Sequence, residues 1–167
     1  MPDAPPQGPA TFAYYRGLAP LMWVFAVIMA AELLIVHLLV SALWSHAAAW
    51  ILSGVSLAAL IWTILFIRSL KSRPVLVDAE GVTMRIGFLK SVHVPAARVS
   101  GLRTSWPREE LKQGGVLNFA LINYPNVMLD LDPPLPGRRR PVAAIAHRLD
   151  DPAGFAAAVA RLTEARA

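Results

Sequence analysis

The chain has 167 residues, a net charge of +5 and a hydrophobic content of 56%. It contains no cysteine, which excludes disulfide bonds and metal sites built from thiolates. From Arg68 onwards it carries fifteen Lys and Arg residues against nine Asp and Glu. Such an excess indicates either an anionic membrane surface nearby or recognition of nucleic acid or a specific lipid. We expect membrane proximity and no nucleic-acid partner.

Residues 1–16 are predicted to form a disordered leader, because they hold four prolines and few large apolar side chains. A cleaved signal peptide is the alternative. It is disfavoured because the leader is poorly basic, the apolar run that follows is too long, and a second such run comes after it.

Residues 17–69 are predicted to form a transmembrane hairpin, with helices at about residues 18–43 and 47–67. Each run is close to the ~20 residues that a helix needs to cross the hydrocarbon of a bilayer. Only residues 44–46 separate them, so the second helix must return antiparallel to the first. The alternative, a pair of buried helices in a soluble protein, is disfavoured by the flanking tryptophans and basic residues.

Glu32 is the one charged residue inside these two runs. A carboxylate at mid-bilayer costs roughly 2.5–3.5 kcal/mol on insertion scales. Thirteen Leu, Ile, Phe and Val residues between residues 21 and 43 return roughly 4–8 kcal/mol in total. The first helix is therefore expected to insert despite Glu32.

The other polar residues of the hairpin can meet across it. His37 falls level with Ser53, and Glu32 falls level with Ser56 and its neighbours. Glu32 is read either as a proton or ion site or partner contact, or as a protonated carboxyl bonded to Ser56 or a backbone carbonyl. Glu32 and His37 lie about 140° apart around the helix, so a metal ion held by both is not expected. For His37 we favour a simple contact between the helices.

The orientation of the hairpin is set by its flanking cations. Arg16 precedes the first helix, Arg68, Lys71 and Arg73 follow the second, and residues 44–46 contain no Lys or Arg. The positive-inside bias therefore places both termini in the cytoplasm.

Residues 74–167 are predicted to form an antiparallel β region closed by a C-terminal helix. Apolar and polar residues alternate with a period of two, as in half-buried strands. Asp151 followed by Pro152 is a helix start signal, and Phe155, Val159 and Leu162 share one face of the helix that follows. Six or seven strands are expected, at about residues 75–77, 82–88, 91–94, 98–104, 116–122, 127–131 and 142–146.

This order of elements resembles bacterial membrane proteins with two transmembrane helices and a PH-like domain. The residues that carry the resemblance are those of 77–85, 94–99, 125–131 and 150–155. The resemblance implies a PH-like antiparallel barrel or sandwich with a C-terminal helix, in a protein of the inner membrane. It brings no catalytic motif, and it implies scaffold or accessory proteins, with lipid binding not implied for every member.

No motif of an enzyme is found in the sequence. The four histidines do not form a metal-ligand spacing such as HExxH, and no Gly-rich phosphate loop or nucleophile elbow is present. Asp130 and Asp132 resemble a paired acid site, but alternate outward positions on a strand give the same pattern. The basic loop Arg138, Arg139 and Arg140 is read as either a solvated loop or a contact for anionic lipid headgroups.

Two functions are expected. The first is a non-enzymatic inner-membrane protein, without cofactor or metal, that tethers a PH-like binding or scaffold domain at the cytoplasmic face. Its partner would be a protein, a second copy of the chain or anionic lipid of the bilayer. The alternative is an accessory subunit of a transport or secretion complex that acts through the hairpin and Glu32. An enzyme is the least favoured reading.

Overall fold

The computed structural model describes residues 8–112, 114–137 and 140–165. Two long helices and a shorter C-terminal one accompany eight strands. In chain order these are β1 (Ala10–Phe12), α1 (Ala19–Leu43), α2 (His46–Ser72), β2 (Val75–Val77), β3 (Gly81–Ile86), β4 (Lys90–Pro95), β5 (Val99–Arg103), β6 (Val116–Asn118), β7 (Val127–Leu135), β8 (Val142–His147) and α3 (Pro152–Glu164). Single 3-10 turns lie at Ala96–Arg98 and Arg108–Lys112.

Helices α1 and α2 form the predicted antiparallel pair, and both are long and apolar enough to cross a membrane. Within their most apolar 18-residue windows, only 6% and 17% of the residues are buried. The core helices of a soluble protein would instead be mostly buried. Helix α2 continues five residues past the predicted end at residue 67, because Ser69 and Leu70 are buried against the strands that follow.

The segment before α1 differs from the predicted disordered leader. Ala10–Phe12 is a strand that pairs antiparallel with β2, with Phe12 opposite Val75. Phe12 and Tyr14 are both buried. These few apolar side chains hold the segment in place, because each is buried in a core that the rest of the chain forms. Residues 1–7 lie outside the described ranges.

The strands form two four-stranded sheets, in the orders β1-β2-β3-β4 and β5-β7-β8-β6, and they do not close into a barrel. The prediction of a wholly antiparallel arrangement is wrong, because β6 pairs parallel with β8. Alternation along a strand reports its two faces and carries no information on the direction of its neighbour. Strand β6 also ends at Asn118 rather than residue 122, since Phe119 and Ala120 turn into the core and Leu121 has a left-handed backbone (φ 53°).

The hairpin and the sheets share one core. Phe66 and Leu70 of α2 belong to the same buried cluster as Phe12 of β1 and Phe155 of α3. The rings of Phe12 and Phe155 meet edge to face, with centroids 5.2 Å apart. As predicted, Asp151 caps α3, its carboxylate accepting a 2.9 Å hydrogen bond from the amide of Gly154. The packing is therefore continuous across residues 69–74, where the hairpin was predicted to end and the β region to begin.

Candidate functional site

One surface cavity is a groove between the two sheets, with a volume of about 1110 Å³. One wall is β4 and the other is β6, each of which is the last strand of its sheet. The residues that line the groove are Lys90, Ser91, Val92, His93, Gly115, Val116, Leu117, Leu135, Pro136, Gly137, Arg140, Pro141 and Val142. Each wall strand pairs on one side only among the described residues, so its other edge offers free backbone groups.

The groove carries positive charge. Lys90, His93 and Arg140 line it, and none of the described residues around it is acidic. The Lys90 ammonium lies 5.2 Å from the centre of the Phe119 ring, which holds this long side chain at one end of the groove. The Nδ1 atom of His93 is 3.0 Å from the hydroxyl of Thr83 on β3. This arrangement suits an anionic ligand with an extended, partly apolar body.

The predicted basic loop is only partly described. Arg138 and Arg139 lie outside the described residues, whereas Arg140 lines the groove. The Arg140 guanidinium packs against Gly114, at a position where any larger side chain would collide with it. The structure thus places Arg140 at a sheet edge, beside β6.

A second cavity, of about 570 Å³, lies between the start of α1 and the end of α2. It is lined by Tyr15, Ala19, Trp23, Ile67, Arg68, Lys71 and Ser72. Two of the four cations predicted to set the orientation therefore share one crevice. Arg16 lies elsewhere, with its backbone amide donating to the carboxylate of Asp150 at 3.2 Å, and Arg73 accepts a hydrogen bond through its carbonyl from Tyr14.

Inside the hairpin, His37 of α1 lies level with Ser53 of α2, as predicted. Its Nδ1 atom lies 2.7 Å from the hydroxyl of Ser53, and its ring meets Trp50 edge to face. Glu32 behaves differently. Its side chain is exposed on α1 and makes no hydrogen bond to Ser56 or to any other described residue. The structure thus joins His37 to Ser53 but does not bring Glu32 to Ser56.

A buried polar junction that sequence reasoning missed lies where the hairpin meets the sheets. Tyr14 accepts a hydrogen bond from the amide of Gly87, and its ring contacts that of His147. The His147 Nε2 atom is 3.0 Å from the carbonyl of Arg85, and its Nδ1 accepts from the amide of Arg148. Burial raises the pKa of Tyr14 and lowers the pKa of His147 to about 4. Their partners are all backbone groups, so no side-chain pattern signals this junction.

Asp130 of β7 and Glu110 of the second 3-10 turn both form ion pairs with Arg103. Arg103 donates two hydrogen bonds to Asp130, at 2.6 and 2.7 Å, and reaches Glu110 at 2.7 Å. These bonds lower the pKa of Glu110 and raise the pKa of Arg103. Asp130 is thus a partner of Arg103 rather than of Asp132. Among the described residues, no group of three His, Cys, Asp or Glu side chains is placed to hold a metal ion.

Taken together, the described residues form two helices able to cross a membrane, two four-stranded sheets and a closing helix. Comparison of the chain with protein-family models, with curated proteins and with solved structures finds no match. The groove, the crevice between the helix ends and the exposed Glu32 are therefore the features that bear on its function.

Proposed function

We propose that this chain is a non-enzymatic inner-membrane protein whose hairpin crosses the bilayer and fixes a PH-like binding domain at the cytoplasmic face. The apolar hairpin supports this proposal, because few residues of its most apolar windows are buried and water would solvate them poorly. The cations at the C-terminal end of α2 support the cytoplasmic placement of both termini. The two sheets and the closing helix support the PH-like interpretation.

The observation that carries the binding role is the basic groove between β4 and β6. Its two walls are strand edges, which bind extended chains through backbone hydrogen bonds. Its cations, Lys90 and Arg140, favour carboxylates, and His93 adds a hydrogen-bonding side chain. The ligand is accordingly an extended acidic segment of a protein partner, which adds a strand to one edge and pairs its acidic side chains with the groove.

The shared core gives this binding site a fixed position. Phe66 and Leu70 of α2 pack in the same cluster as the strands, so the groove cannot swing freely on a linker. A segment caught there is held close to the membrane surface. This favours a scaffold that presents one protein to another at the bilayer.

A selection with random linear peptides tests the binding site. The full chain, reconstituted in nanodiscs, would be used as the target. We expect the enriched peptides to alternate acidic and apolar residues, and salt to weaken their binding. Arg140→Glu should lower their affinity about tenfold or more, because a charge-assisted hydrogen bond contributes about 1.5–3 kcal/mol.

Arg161→Glu is the matched control for that experiment. Arg161 is exposed on α3, outside the groove, and the substitution makes the same change in net charge. Equal loss of binding in both variants would indicate a general charge effect, and enriched peptides without acidic residues would refute the proposed ligand.

The alternative is an accessory subunit of a larger membrane complex, and Glu32 is the observation in its favour. Its carboxyl is exposed on the hairpin, with no hydrogen bond to any described residue. In a bilayer such a group would be costly unless another helix supplied a partner. Purification in mild detergent separates the two functions, because a stoichiometric membrane partner that depends on Glu32 would favour the alternative.

A further inference from the structure

Outside the hairpin, the described residues expose large apolar side chains in only two loops. These side chains are Phe88 and Leu89, between β3 and β4, and Leu121, Ile122 and Tyr124, between β6 and β7. We call these five residues the apolar rim. Their exposed fractions run from 39% for Phe88 to 60% for Ile122.

The first loop of the apolar rim is fixed to α2. The Phe88 ring meets those of Trp62 and Phe66 edge to face, with both centroid distances at 5.7 Å. The Phe88 amide donates a 3.2 Å hydrogen bond to the hydroxyl of Ser69. Trp62 lies six residues, about 9 Å along the helix axis, before the first cation, Arg68. Phe88 therefore sits beside the uncharged part of α2.

The second loop lies near the start of α1. Asn123 lies close to Gly17. A Cβ atom added to Gly17 would be 3.4 Å from the side-chain amide nitrogen of Asn123. Arg148 donates a 3.1 Å hydrogen bond to the carbonyl of Tyr124, which holds the loop in place. Leu121 keeps a left-handed backbone (φ 53°) while its side chain is 45% exposed. Both loops thus lie at the end of the hairpin that bears its termini.

Basic residues accompany the apolar rim. Lys90 directly follows Leu89, and its ammonium over the Phe119 ring joins the first loop to the residue that directly follows β6. Arg148 is bonded to Tyr124, and the crevice with Arg68 and Lys71 opens between the helix ends. Apolar side chains surrounded by cations are the arrangement that binds the interface of an anionic bilayer.

We propose that the apolar rim inserts into the bilayer beside the hairpin, so that the β region lies on an anionic lipid surface. This inference depends on the membrane-spanning hairpin of the proposed function, but not on the peptide groove. Insertion at two loops would hold the β region in one orientation on the membrane.

The absence of native cysteine allows a direct test in the full chain. Leu89→Cys and Ile122→Cys, each labelled with an environment-sensitive fluorophore, would be reconstituted in vesicles of phosphatidylcholine and phosphatidylglycerol. Nitroxide-labelled lipid should quench most of the fluorescence at both sites. Ala97→Cys is the control on the β region, because Ala97 is exposed beyond the far end of β4, a strand about 17 Å long. It should lose little fluorescence.

Leu57→Cys, in the middle of α2, reports whether the hairpin is in the membrane. Quenching at Leu57→Cys without quenching at the two rim sites would overturn the inserted rim and leave the spanning hairpin intact. Quenching at the rim sites alone would support lipid contact by the rim and refute the spanning hairpin. No quenching at any of these sites would overturn both.

Discussion

The backbone amide of Gly87 donates a 2.7 Å hydrogen bond to the hydroxyl of Tyr14, 73 residues earlier in the chain. The same hydroxyl donates a 3.1 Å hydrogen bond to the carbonyl of Arg73. One side chain thus joins the segment before α1, the residue that directly follows α2 and the turn between β3 and β4. This buried hydroxyl therefore links the hairpin to the sheets, in addition to the shared apolar core.

Replacement of that hydroxyl is the first prediction. Tyr14→Phe keeps the ring but leaves the Gly87 amide and the Arg73 carbonyl without their partner, and an unsatisfied buried polar group costs about 1–3 kcal/mol. We expect the melting temperature of the chain in detergent to fall accordingly. Tyr15→Phe is the control, because the Tyr15 hydroxyl makes no hydrogen bond to any described residue. Equal melting of the two variants would contradict a structural role for the Tyr14 hydroxyl.

Gly87 itself gives the second prediction. Its backbone is left-handed (φ 47°), and a Cβ atom there would collide with Ser69 Oγ and lie 3.2 Å from the ring of Phe66. Gly87→Ala should destabilise the chain by about 2–4 kcal/mol, from backbone strain and overpacking together. Gly101→Ala on β5 meets no atom within 4 Å and should change stability far less. Thermal melting of both variants measures the difference, and similar losses would refute a specific role for Gly87.

The sequence predicted the elements that a strong local pattern encodes. The hairpin follows from two long apolar runs, and the contact of His37 with Ser53 follows from their antiparallel register. The start of α3 at Pro152 follows from the cap Asp151. These features are set by residues close to one another in the chain, or by one short turn.

Features that depend on distant partners were not predicted. The strand Ala10–Phe12 exists because β2 offers it an edge, and its three residues alone carry too little pattern to be recognised. The parallel pairing of β6 with β8 follows from the path of the chain between the sheets. The groove is formed by edge strands of two different sheets, and no local pattern signals that these edges face each other, so Lys90, His93 and Arg140 could not be grouped in advance.

His147 gives a prediction for pH. Its Nδ1 atom accepts the Arg148 amide and its Nε2 faces the Arg85 carbonyl, so the buried ring is neutral. Because burial lowers its pKa from 6.5 to about 4, the unfolded chain binds a proton at His147 in a range where the folded chain does not. The contribution of His147 to the free energy of unfolding is complete above pH 6.5. It is lost as the pH falls towards 4, which lowers the free energy of unfolding by about 3 kcal/mol in total.

Melting curves of the wild type and two variants across this range test that prediction. His147→Gln should lower stability at neutral pH and flatten the loss of stability on acidification. His93→Gln, at an exposed position on β4, should leave the acid-dependent loss unchanged. A wild-type slope that survives in His147→Gln would assign the acid sensitivity to other groups.

Glu32 gives the last prediction, because its exposure on α1 separates two roles for the hairpin. A carboxyl that faces lipid is costly unless it forms a hydrogen bond with another subunit. Glu32→Gln keeps a donor and an acceptor, so assembly on a native gel should persist. Glu32→Leu removes both and should weaken helix association by about 1–2 kcal/mol at most. Leu38→Ala is the control, since Leu38 is exposed about 120° around the same helix, and it should assemble as the wild type does.

Two roles of Glu32, a hydrogen bond and proton transfer, are distinguished by testing whether each variant restores the cellular phenotype that deletion of the whole protein causes. A group that carries a proton must ionise, which Gln cannot do, so Glu32→Gln would then abolish activity while the complex remains intact on the gel. If Glu32 serves only as a hydrogen-bonding group, Glu32→Gln should remain active and Glu32→Leu should be impaired. If Glu32→Leu matched the wild type in both the gel and the phenotype, the hairpin would serve only as an anchor, and the accessory-subunit function would lose the observation on which it depends.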